Sequence, residues 1–196
     1  MVDSIRFYEE NAADFFARSV AAEMLPQLRA FAGLLPPGGR VLDAGCGAGR
    51  DARALREMGF QVTATEAAPA LAALARAHAG VEVRVMTFDE MAWSGAFDGI
   101  WTCASLLHVA RTELPATLVR LKRALVPRGA WFMSFKYGTR EREANGRRFT
   151  DLDEAGAQAL LAQVDGLELI SMQVSGDVRP DRSSERWLSL LCRKAA

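Results

Sequence analysis

Residues 41–50, VLDAGCGAGR, decide the fold, because a short apolar run passes through three alternate glycines into a predicted helix. Glycines let the backbone turn tightly and let a ligand approach without meeting a Cβ atom. The start of the following helix offers unpaired N–H groups and the positive end of a dipole, which attract an anion. A ligand-free strand-to-helix turn would use the same glycines, so the neighbouring residues must decide between the two readings.

Outside this turn, short apolar strands alternate with helical patterns along one chain of 196 residues. The helical patterns cover 3–32, 48–58, 69–79, 114–126 and 151–164. The strand patterns cover 40–44, 60–65, 81–86, 97–103, 129–135, 167–174 and 187–192, while 137–148 is polar and predicts a mobile loop. This alternation predicts a single α/β domain with a Rossmann-like, seven-stranded, mostly parallel sheet, helices on both faces and an antiparallel last strand.

Two acidic residues flank the glycine turn and suggest the kind of ligand it holds. Asp43 lies just before the turn, where a carboxylate can accept hydrogen bonds from an ammonium group. Glu66 ends the second predicted strand, 21 residues beyond Gly45, and offers two acceptors to the two hydroxyls of a ribose. An anion site, an ammonium acceptor and a ribose acceptor together fit an amino-acid nucleoside better than a dinucleotide.

Composition excludes several classes of protein. Lys plus Arg and Asp plus Glu balance at 24 each, which disfavours an electrostatic nucleic-acid binder. Three widely spaced cysteines suggest neither a disulfide framework nor a metal site. The first residues do not resemble a signal peptide, and no stretch approaches the roughly 20 apolar residues that span a bilayer. We expect a cytoplasmic protein with a small-molecule substrate, no membrane or nucleic-acid partner, and a monomeric or homodimeric state.

The motif D-x-G-C-G-x-G, followed by an acid that closes the next strand, resembles the class I S-adenosylmethionine-dependent methyltransferases. The G-x-G-R-D version at 47–51 is similar to the tellurite-resistance-like, small-molecule type. Further matching landmarks are FDE at 88–90, FDGIW at 97–101, LLHV at 106–109 and LVPRGA at 125–130, where Arg128 replaces a frequent glycine. The resemblance covers roughly 36–136 and implies a cofactor core there, preceded by a helical lid at 1–35 and followed by substrate-side elements at 137–196.

The resemblance also implies roles for individual residues around S-adenosylmethionine and its product S-adenosylhomocysteine. The methionine end would lie on the glycine turn, the ribose at the end of the second strand, and adenine near 88–90. The backbone after the fourth strand would receive the amino group. The implied cofactor residues are Asp43, Gly45, Cys46, Gly47, Gly49, Arg50, Glu66, Ala67, Phe88, Asp89, Glu90, Cys103 and Ala104.

Other residues are candidates for the substrate side. His108 follows the fourth strand at the ligand edge and is a candidate base or orienting group, although a packed loop histidine is an equal alternative. Tyr8 lies in a predicted helix that resembles the lid of family members, but an amphipathic helix that only packs on the edge of the sheet would have the same sequence pattern. Each charged residue near this edge, taken alone, is more often a solvated surface charge, but together they could line a pocket for an anionic or carboxylate-bearing substrate. They are Lys136, Arg147, Arg148, Asp177, Arg179 and Arg182, and the predicted substrate residues among them are Lys136, Arg148, Asp177 and Arg179.

Two other functions remain as alternatives. A nicotinamide-dependent oxidoreductase needs G-x-G-x-x-G, and Arg50 stands at the position of the last glycine. A non-catalytic protein could keep the fold and bind S-adenosylmethionine as a sensor. Methyl transfer asks little acid–base chemistry of a protein, since alignment and desolvation of the acceptor carry much of the rate. The sequence therefore favours a methyltransferase without revealing its acceptor.

Overall fold

The computed structural model describes residues 4–178, 182 and 184–196. Its helices are α1 (Ser4–Glu10), α2 (Ala12–Ser19), α3 (Leu25–Ala32), α4 (Arg50–Glu57), α5 (Pro69–Ala79), α6 (Leu114–Ala124) and α7 (Glu154–Leu161). Its strands are β1 (Arg40–Ala44), β2 (Gln61–Glu66), β3 (Glu82–Val85), β4 (Phe97–Thr102), β5 (Leu125–Lys136), β6 (Glu141–Ala144), β7 (Arg147–Thr150), β8 (Leu167–Gly176) and β9 (Arg186–Lys194). None of the described helices is both long and apolar enough to cross a membrane.

Seven strands form one sheet in the order β3-β2-β1-β4-β5-β9-β8. Strands β1 to β5 pair in parallel, and β9 runs antiparallel to both of its neighbours. The predicted mostly parallel sheet with an antiparallel last strand is therefore confirmed. The strand order reverses between β1 and β4, and ligands of such sheets bind beyond the carboxyl ends of the strands at this reversal.

Both faces of the sheet are buried, as parallel strands require. Ile100 and Trp131 pack on the face that α6 covers, while Trp101 and Phe132 pack on the face that α3 covers. Successive residues of a strand point to opposite faces, so the apolar run of each central strand supplies both layers. The rings of Trp101 and Phe132 stack with centroids 3.9 Å apart, which fixes β4 against β5. This rigid centre positions the strand ends that form the site.

The N-terminal segment expected to be helical over 3–32 is helical, and it is divided into the three helices α1, α2 and α3. The helix breaks at Asn11, where the backbone leaves helical geometry, and again over 20–24 before α3 begins. Pro26 lies in the first turn of α3, a position where its missing N–H is tolerated and its fixed φ favours a new helix. The break separates α1, which reaches the site, from α3, which covers the sheet.

The segment 137–148, expected as a mobile loop, instead contains most of a β-hairpin. Strands β6 and β7 pair antiparallel, and Arg142 lies opposite Phe149. Asn145 and Gly146 adopt positive φ values of 51° and 74°. A two-residue turn with two positive φ values is the favoured hairpin connection, and Asn-Gly is its strongest sequence signal. The polar composition of the segment concealed this signal.

Strand β5 begins earlier than its sequence pattern predicts. The helix expected over 114–126 ends at Ala124, and the strand already pairs with β4 through Leu125 opposite Phe97. Arg128, at the position where the sequence resemblance predicts a glycine, adopts φ 63°. This left-handed conformation is easier for glycine than for arginine, so the substitution is a local strain that does not touch the site.

Candidate functional site

A cavity of about 750 Å³ opens at the carboxyl ends of the central strands, between the glycine turn, α1 and the β6–β7 hairpin. Most of the residues predicted to hold the cofactor line it. They are Asp43, Gly45, Cys46, Gly47, Arg50, Glu66, Ala67, Phe88, Asp89, Cys103 and Ala104. The predicted substrate-side residues that line it are Tyr8, His108, Lys136, Arg148 and Asp177, whereas Arg179 lies outside the described residues. The structure thus brings residues from distant parts of the sequence into one cavity.

Two predicted cofactor residues do not line the cavity. Gly49 precedes α4 with φ 76°, and a Cβ atom there would lie 2.9 Å from the carbonyl oxygen of Ala75. This glycine therefore permits the close packing of α4 on α5. The exposed Glu90 carboxylate accepts hydrogen bonds from the backbone N–H and the hydroxyl of Thr87, at 2.7 and 2.9 Å. It caps the 3₁₀ turn Phe88–Glu90 that carries Asp89 to the cavity.

Asp43 supplies a buried acceptor at the end of β1. Its side chain is almost fully buried, and its Oδ2 atom has no hydrogen-bond partner. Burial raises the pKa of this carboxyl, and the nearby acids Asp51 and Glu66 raise it further against the lowering effect of Arg50. Buried carboxylate oxygens normally have partners, so an unpaired one that borders a cavity marks a place for a donor from a ligand. An ammonium group satisfies this requirement.

Glu66 ties the glycine turn to the start of α5 while keeping acceptor capacity. Its Oε2 accepts the N–H of Gly47 and its Oε1 accepts the N–H of Ala68, both at 3.0 Å. Burial raises the pKa of the carboxyl, and these backbone donors oppose the shift. Each carboxylate oxygen can accept a second hydrogen bond, so two adjacent hydroxyl groups can bind here. The chemistry of this position fits the diol of a ribose.

Arg50 borders the cavity but its charge is already compensated. Its Nε and Nη2 atoms donate to the two carboxylate oxygens of Asp51 at 2.7 and 2.8 Å. Asp51 also accepts a hydrogen bond from the indole Nε1 of Trp101 at 2.9 Å. The bidentate pair stays within the first turn of α4, and the Trp101 bond ties that turn to β4. Arg50 therefore supports the start of α4 more directly than it offers a free cation.

The turn after β4 is held by hydroxyl groups. The backbone N–H of Ala104, which has φ 54°, donates to Ser134 Oγ at 2.8 Å. Ser105 Oγ donates to the carbonyl oxygen of Ala44 at 2.8 Å. An ammonium group needs acceptors, so any role of this turn in binding an amino group belongs to carbonyl oxygens and not to the Ala104 N–H.

The cavity thiols are not poised as nucleophiles. Burial raises the pKa of Cys46, and it raises the pKa of Cys103 to about 12. A thiol with a raised pKa stays protonated at neutral pH, while reactive cysteines have lowered values. Within the described part of the chain, no cluster of three or more His, Cys, Asp or Glu residues could hold a metal ion.

His108 is a neutral imidazole that holds Tyr8. Its Nδ1 lies 2.7 Å from the carbonyl oxygen of Arg148, which can only accept, so Nδ1 carries the proton. Burial lowers the pKa of His108 to about 4, and the charges of Arg147 and Lys136 lower it further, whereas the Arg148 carbonyl raises it. The unprotonated Nε2 therefore accepts the hydroxyl proton of Tyr8 at 2.8 Å.

Further contacts seat α1 over the cavity. Ser4 Oγ accepts the backbone N–H of Arg148 at 3.1 Å, and the Glu9 carboxylate accepts the N–H of Ala70 at 2.7 Å. The ring of Tyr8 meets the ring of Phe15 edge-on at 4.9 Å. Helix α1 is therefore fastened to the hairpin on one side and to α5 on the other.

Most of the predicted substrate-side charges have partners. Arg148 pairs with Glu141 at 3.0 Å, and Lys136 pairs with Glu185. Asp177 accepts a hydrogen bond from Trp187 Nε1 at 2.9 Å. These pairs agree with the alternative that such charges stabilise structure.

The sequence indicated Arg147 only as one of several loop charges and favoured Arg148 for the substrate, yet Arg147 lines the cavity and forms no ion pair with any described residue. Its guanidinium instead lies 4.3 Å from the centre of the Phe7 ring. The Asn145-Gly146 turn signal could have identified it, because a hairpin fixes which residues of β7 share a face.

Comparisons with known proteins agree with this arrangement. Residues 41–129 match the family model described as a methyltransferase domain. Ubiquinone biosynthesis O-methyltransferase of Xanthomonas axonopodis pv. citri (strain 306) is 39% identical over 110 residues, which span 52% of this chain and 44% of that protein. The match therefore covers less than half the length of this curated relative.

Solved structures show the same likeness over nearly the whole chain. The 1,6-didemethyltoxoflavin-N1-methyltransferase of Burkholderia thailandensis, with bound 1,6-didemethyltoxoflavin and S-adenosylhomocysteine, is 25% identical with a TM-score of 0.79, covering 98% of this chain and 86% of that one. A TehB-like S-adenosylmethionine-dependent methyltransferase from Corynebacterium glutamicum has a TM-score of 0.69 and 21% identity, covering 97% of this chain and 98% of that one. The second similarity is one of fold alone.

The matched domain contains the glycine turn, Glu66 and the strand ends around the cavity. The similarity in fold to the Burkholderia thailandensis enzyme extends beyond that domain, over 98% of this chain. Residues 41–129 therefore match a methyltransferase domain, and the chain as a whole is similar to S-adenosylmethionine-dependent methyltransferases.

Proposed function

We propose that this protein transfers the methyl group of S-adenosylmethionine to a small-molecule acceptor and releases S-adenosylhomocysteine. The observation that carries the proposal is that two buried carboxylates, each with acceptor capacity left for a ligand, line the same cavity. Asp43 has an unpartnered oxygen, and Glu66 keeps acceptor capacity beside the glycine turn. An ammonium group and a ribose diol are the donors that these two sites fit.

The remaining cofactor contacts follow from the same cavity. Asp43 would bind the amino group of the cofactor, Glu66 its ribose, and the turn that carries Phe88 and Asp89 its adenine. The cofactor supplies a methyl group on a sulfonium, which is already a good electrophile. The protein therefore needs chiefly to align the acceptor and to exclude water. Helix α1 and the β6–β7 hairpin border the cavity and are suited to the second task.

The nature of the similar proteins supports a small acceptor. The curated relative is named for ubiquinone biosynthesis and for O-methylation, and the Burkholderia thailandensis enzyme for N1-methylation of 1,6-didemethyltoxoflavin. Oxygen and nitrogen acceptors are thus both represented among them. We therefore propose a small organic acceptor with an oxygen or nitrogen nucleophile.

The test is calorimetry of the purified protein with S-adenosylhomocysteine, S-adenosylmethionine and a nicotinamide dinucleotide. We expect saturable binding of the first two at micromolar to submillimolar concentrations, about −5 to −8 kcal/mol. Release of S-adenosylhomocysteine with a panel of small phenols and heterocycles then separates an enzyme from a non-catalytic cofactor-binding protein. Binding of the dinucleotide without binding of S-adenosylhomocysteine would refute the proposal.

A further inference from the structure

We propose that the acceptor carries a planar oxyanion, such as a carboxylate, and that Arg147 binds it. This inference rests on the proposed methyl-transfer function and names the class of acceptor. It depends on the face of the hairpin that Arg147 occupies, on the pairing of the other cations around the cavity, and on the aromatic surroundings of its guanidinium.

The register of the hairpin separates Arg147 from its neighbour Arg148. Residues of a strand alternate between two faces, so Arg147 shares a face with Phe149, and Arg148 belongs to the other face. Arg148 lies directly opposite Glu143 and pairs with it at 3.9 Å and with Glu141 at 3.0 Å. Opposite Arg147 lies Ala144, which also lines the cavity and offers no charge.

The other cations of the cavity wall have carboxylate partners. Each of these side chains lies within 4.0 Å of an Asp or Glu oxygen: Arg50, Lys136, Arg142, Arg148 and Arg182. Among the described residues, Arg147 has no such partner, and its Nε atom is buried without a hydrogen bond. The guanidinium of Arg147 therefore keeps donor capacity that no described residue uses, and its place in the cavity wall suits it to an acceptor from a ligand.

Aromatic rings hold the guanidinium of Arg147 in place. Its central carbon lies 4.3 Å from the centre of the Phe7 ring, 5.1 Å from that of Phe149 and 5.8 Å from that of Tyr8. Rings attract the cation but accept no directed N–H bond from its fork of donors. That fork matches the two oxygens of a carboxylate, and the rings of Tyr8 and Phe149, which line the cavity, provide flat walls for a flat molecule.

Charge is distributed unevenly along the cavity. The glycine-turn side carries the acids Asp43 and Glu66, whereas the hairpin side carries Arg147 and the paired Lys136. Both cations lie close enough to His108 to lower the pKa of its imidazole. An anionic group of the acceptor is therefore favoured on the hairpin side, away from the acids that fit the cofactor.

The test compares a charged probe with its neutral isostere. Benzoate and benzamide are titrated into the full chain saturated with S-adenosylhomocysteine, and binding is followed by calorimetry. We expect benzoate to bind at millimolar concentrations and at least about tenfold more tightly than benzamide, the equivalent of about 1.4 kcal/mol. Arg147→Gln should remove this preference, whereas Arg147→Lys should keep part of it because it keeps the charge.

Arg140→Gln is the matched control, because Arg140 is exposed beside the hairpin and does not line the cavity. It should leave benzoate affinity unchanged. Equal affinity for benzoate and benzamide, no millimolar binding of benzoate, or unchanged binding in Arg147→Gln would overturn the assignment.

A loss of S-adenosylhomocysteine affinity in Arg147→Gln would also overturn the assignment, since Arg147 would then serve the cofactor. Failure of the wild-type chain to bind S-adenosylhomocysteine at all would instead refute the proposed function. Because the cofactor titration comes first, the two failures are distinguishable. Arg147→Lys retains the positive charge over the rings, so the comparison remains decisive even where Arg147→Gln does not fold.

Discussion

Tyr8 donates its hydroxyl proton to Nε2 of His108 across 2.8 Å, and this bond joins two residues that are 100 positions apart in the sequence. The opposite nitrogen of the same imidazole donates to the carbonyl of Arg148. One neutral histidine thus connects α1, the turn after β4 and the hairpin. In this arrangement the imidazole positions the helix over the cavity, and its base nitrogen is occupied by Tyr8.

Tyr8→Phe should loosen α1 without changing the core. The variant keeps the ring contact with Phe15 but leaves His108 Nε2 without its donor, which costs about 1 kcal/mol. Hydrogen exchange of the α1 amides should accelerate about fivefold if they exchange through local opening. Tyr137→Phe is the control, because the hydroxyl of Tyr137 donates an exposed hydrogen bond to Glu154 and does not contact α1. Equal exchange of α1 in all three proteins would mean that other contacts hold the helix.

Stability should depend on pH through His108. An unfolded histidine has a pKa near 6.5, while burial lowers the pKa of His108 to about 4. Between these values the unfolded chain binds more protons, so the free energy of unfolding falls as pH decreases, by at most about 1.4 kcal/mol per unit. The loss begins below about pH 6.5 and is complete below the folded pKa.

His108→Asn isolates this effect, because the other titrating groups are present in both proteins. We expect the difference in unfolding free energy between wild type and variant to shrink as the pH is lowered from 7 towards 4. Urea unfolding at several pH values measures it. A difference that stays constant across this range would show that His108 titrates normally in the folded protein.

Glu66→Ala should weaken S-adenosylhomocysteine binding by about 1.5–3 kcal/mol, the value of hydrogen bonds to a charged group. Glu66→Gln should lose less, because one of its two side-chain acceptors survives. Glu82→Ala is a suitable control, since this exposed acid on neighbouring β3 pairs only with Arg84 in the described structure. Calorimetry compares the four proteins, and an unchanged affinity in Glu66→Ala would mean that the ribose binds elsewhere.

The parts of the fold that depend on local patterns could be predicted from the sequence. The glycine turn at 41–50 and the apolar runs of the central strands are set by short-range backbone preferences and by burial of both sheet faces. The antiparallel last strand followed from the lack of a helix before it. Asp43 and Glu66 could be predicted to meet because parallel strands end at the same edge.

The parts that depend on pairing between distant residues could not be predicted. A loop assigns no faces, so the sequence could not distinguish Arg147 from Arg148, and only the hairpin register separates the two. Gly49 is the last glycine of the motif, yet its missing Cβ atom allows close packing against Ala75 of α5 and not the approach of a ligand. Lys136 pairs with Glu185, which lies 49 positions away in the sequence. The sequence therefore could not predict that the charge of Lys136 is compensated.

Asp43→Asn should stabilise the ligand-free protein while lowering its affinity for S-adenosylhomocysteine. The carboxylate is buried with an unpartnered oxygen, and Asp51 and Glu66 repel its charge. The pKa of Asp43 is raised in the folded state, so above about pH 4 the folded protein binds more protons than the unfolded chain. The free energy of unfolding therefore falls as the pH rises from there to the folded pKa. A neutral amide removes this penalty, which should raise the unfolding free energy at pH 7 by roughly 1 kcal/mol.

The same change removes the negative charge that an ammonium group needs, so S-adenosylhomocysteine affinity should fall by about 1.5–3 kcal/mol. Such opposite effects are typical of a residue kept for function at the expense of stability. Asp98→Asn provides the contrast, because Asp98 accepts the N–H of Arg40 at 2.7 Å and pairs with its side chain at 3.6 Å, outside the cavity. That variant should be no more stable than wild type and should bind the ligand normally. Thermal unfolding of the ligand-free proteins together with calorimetry measures both effects, and an Asp43→Asn protein that is less stable yet binds normally would assign Asp43 to the architecture of β1 instead of to the cofactor.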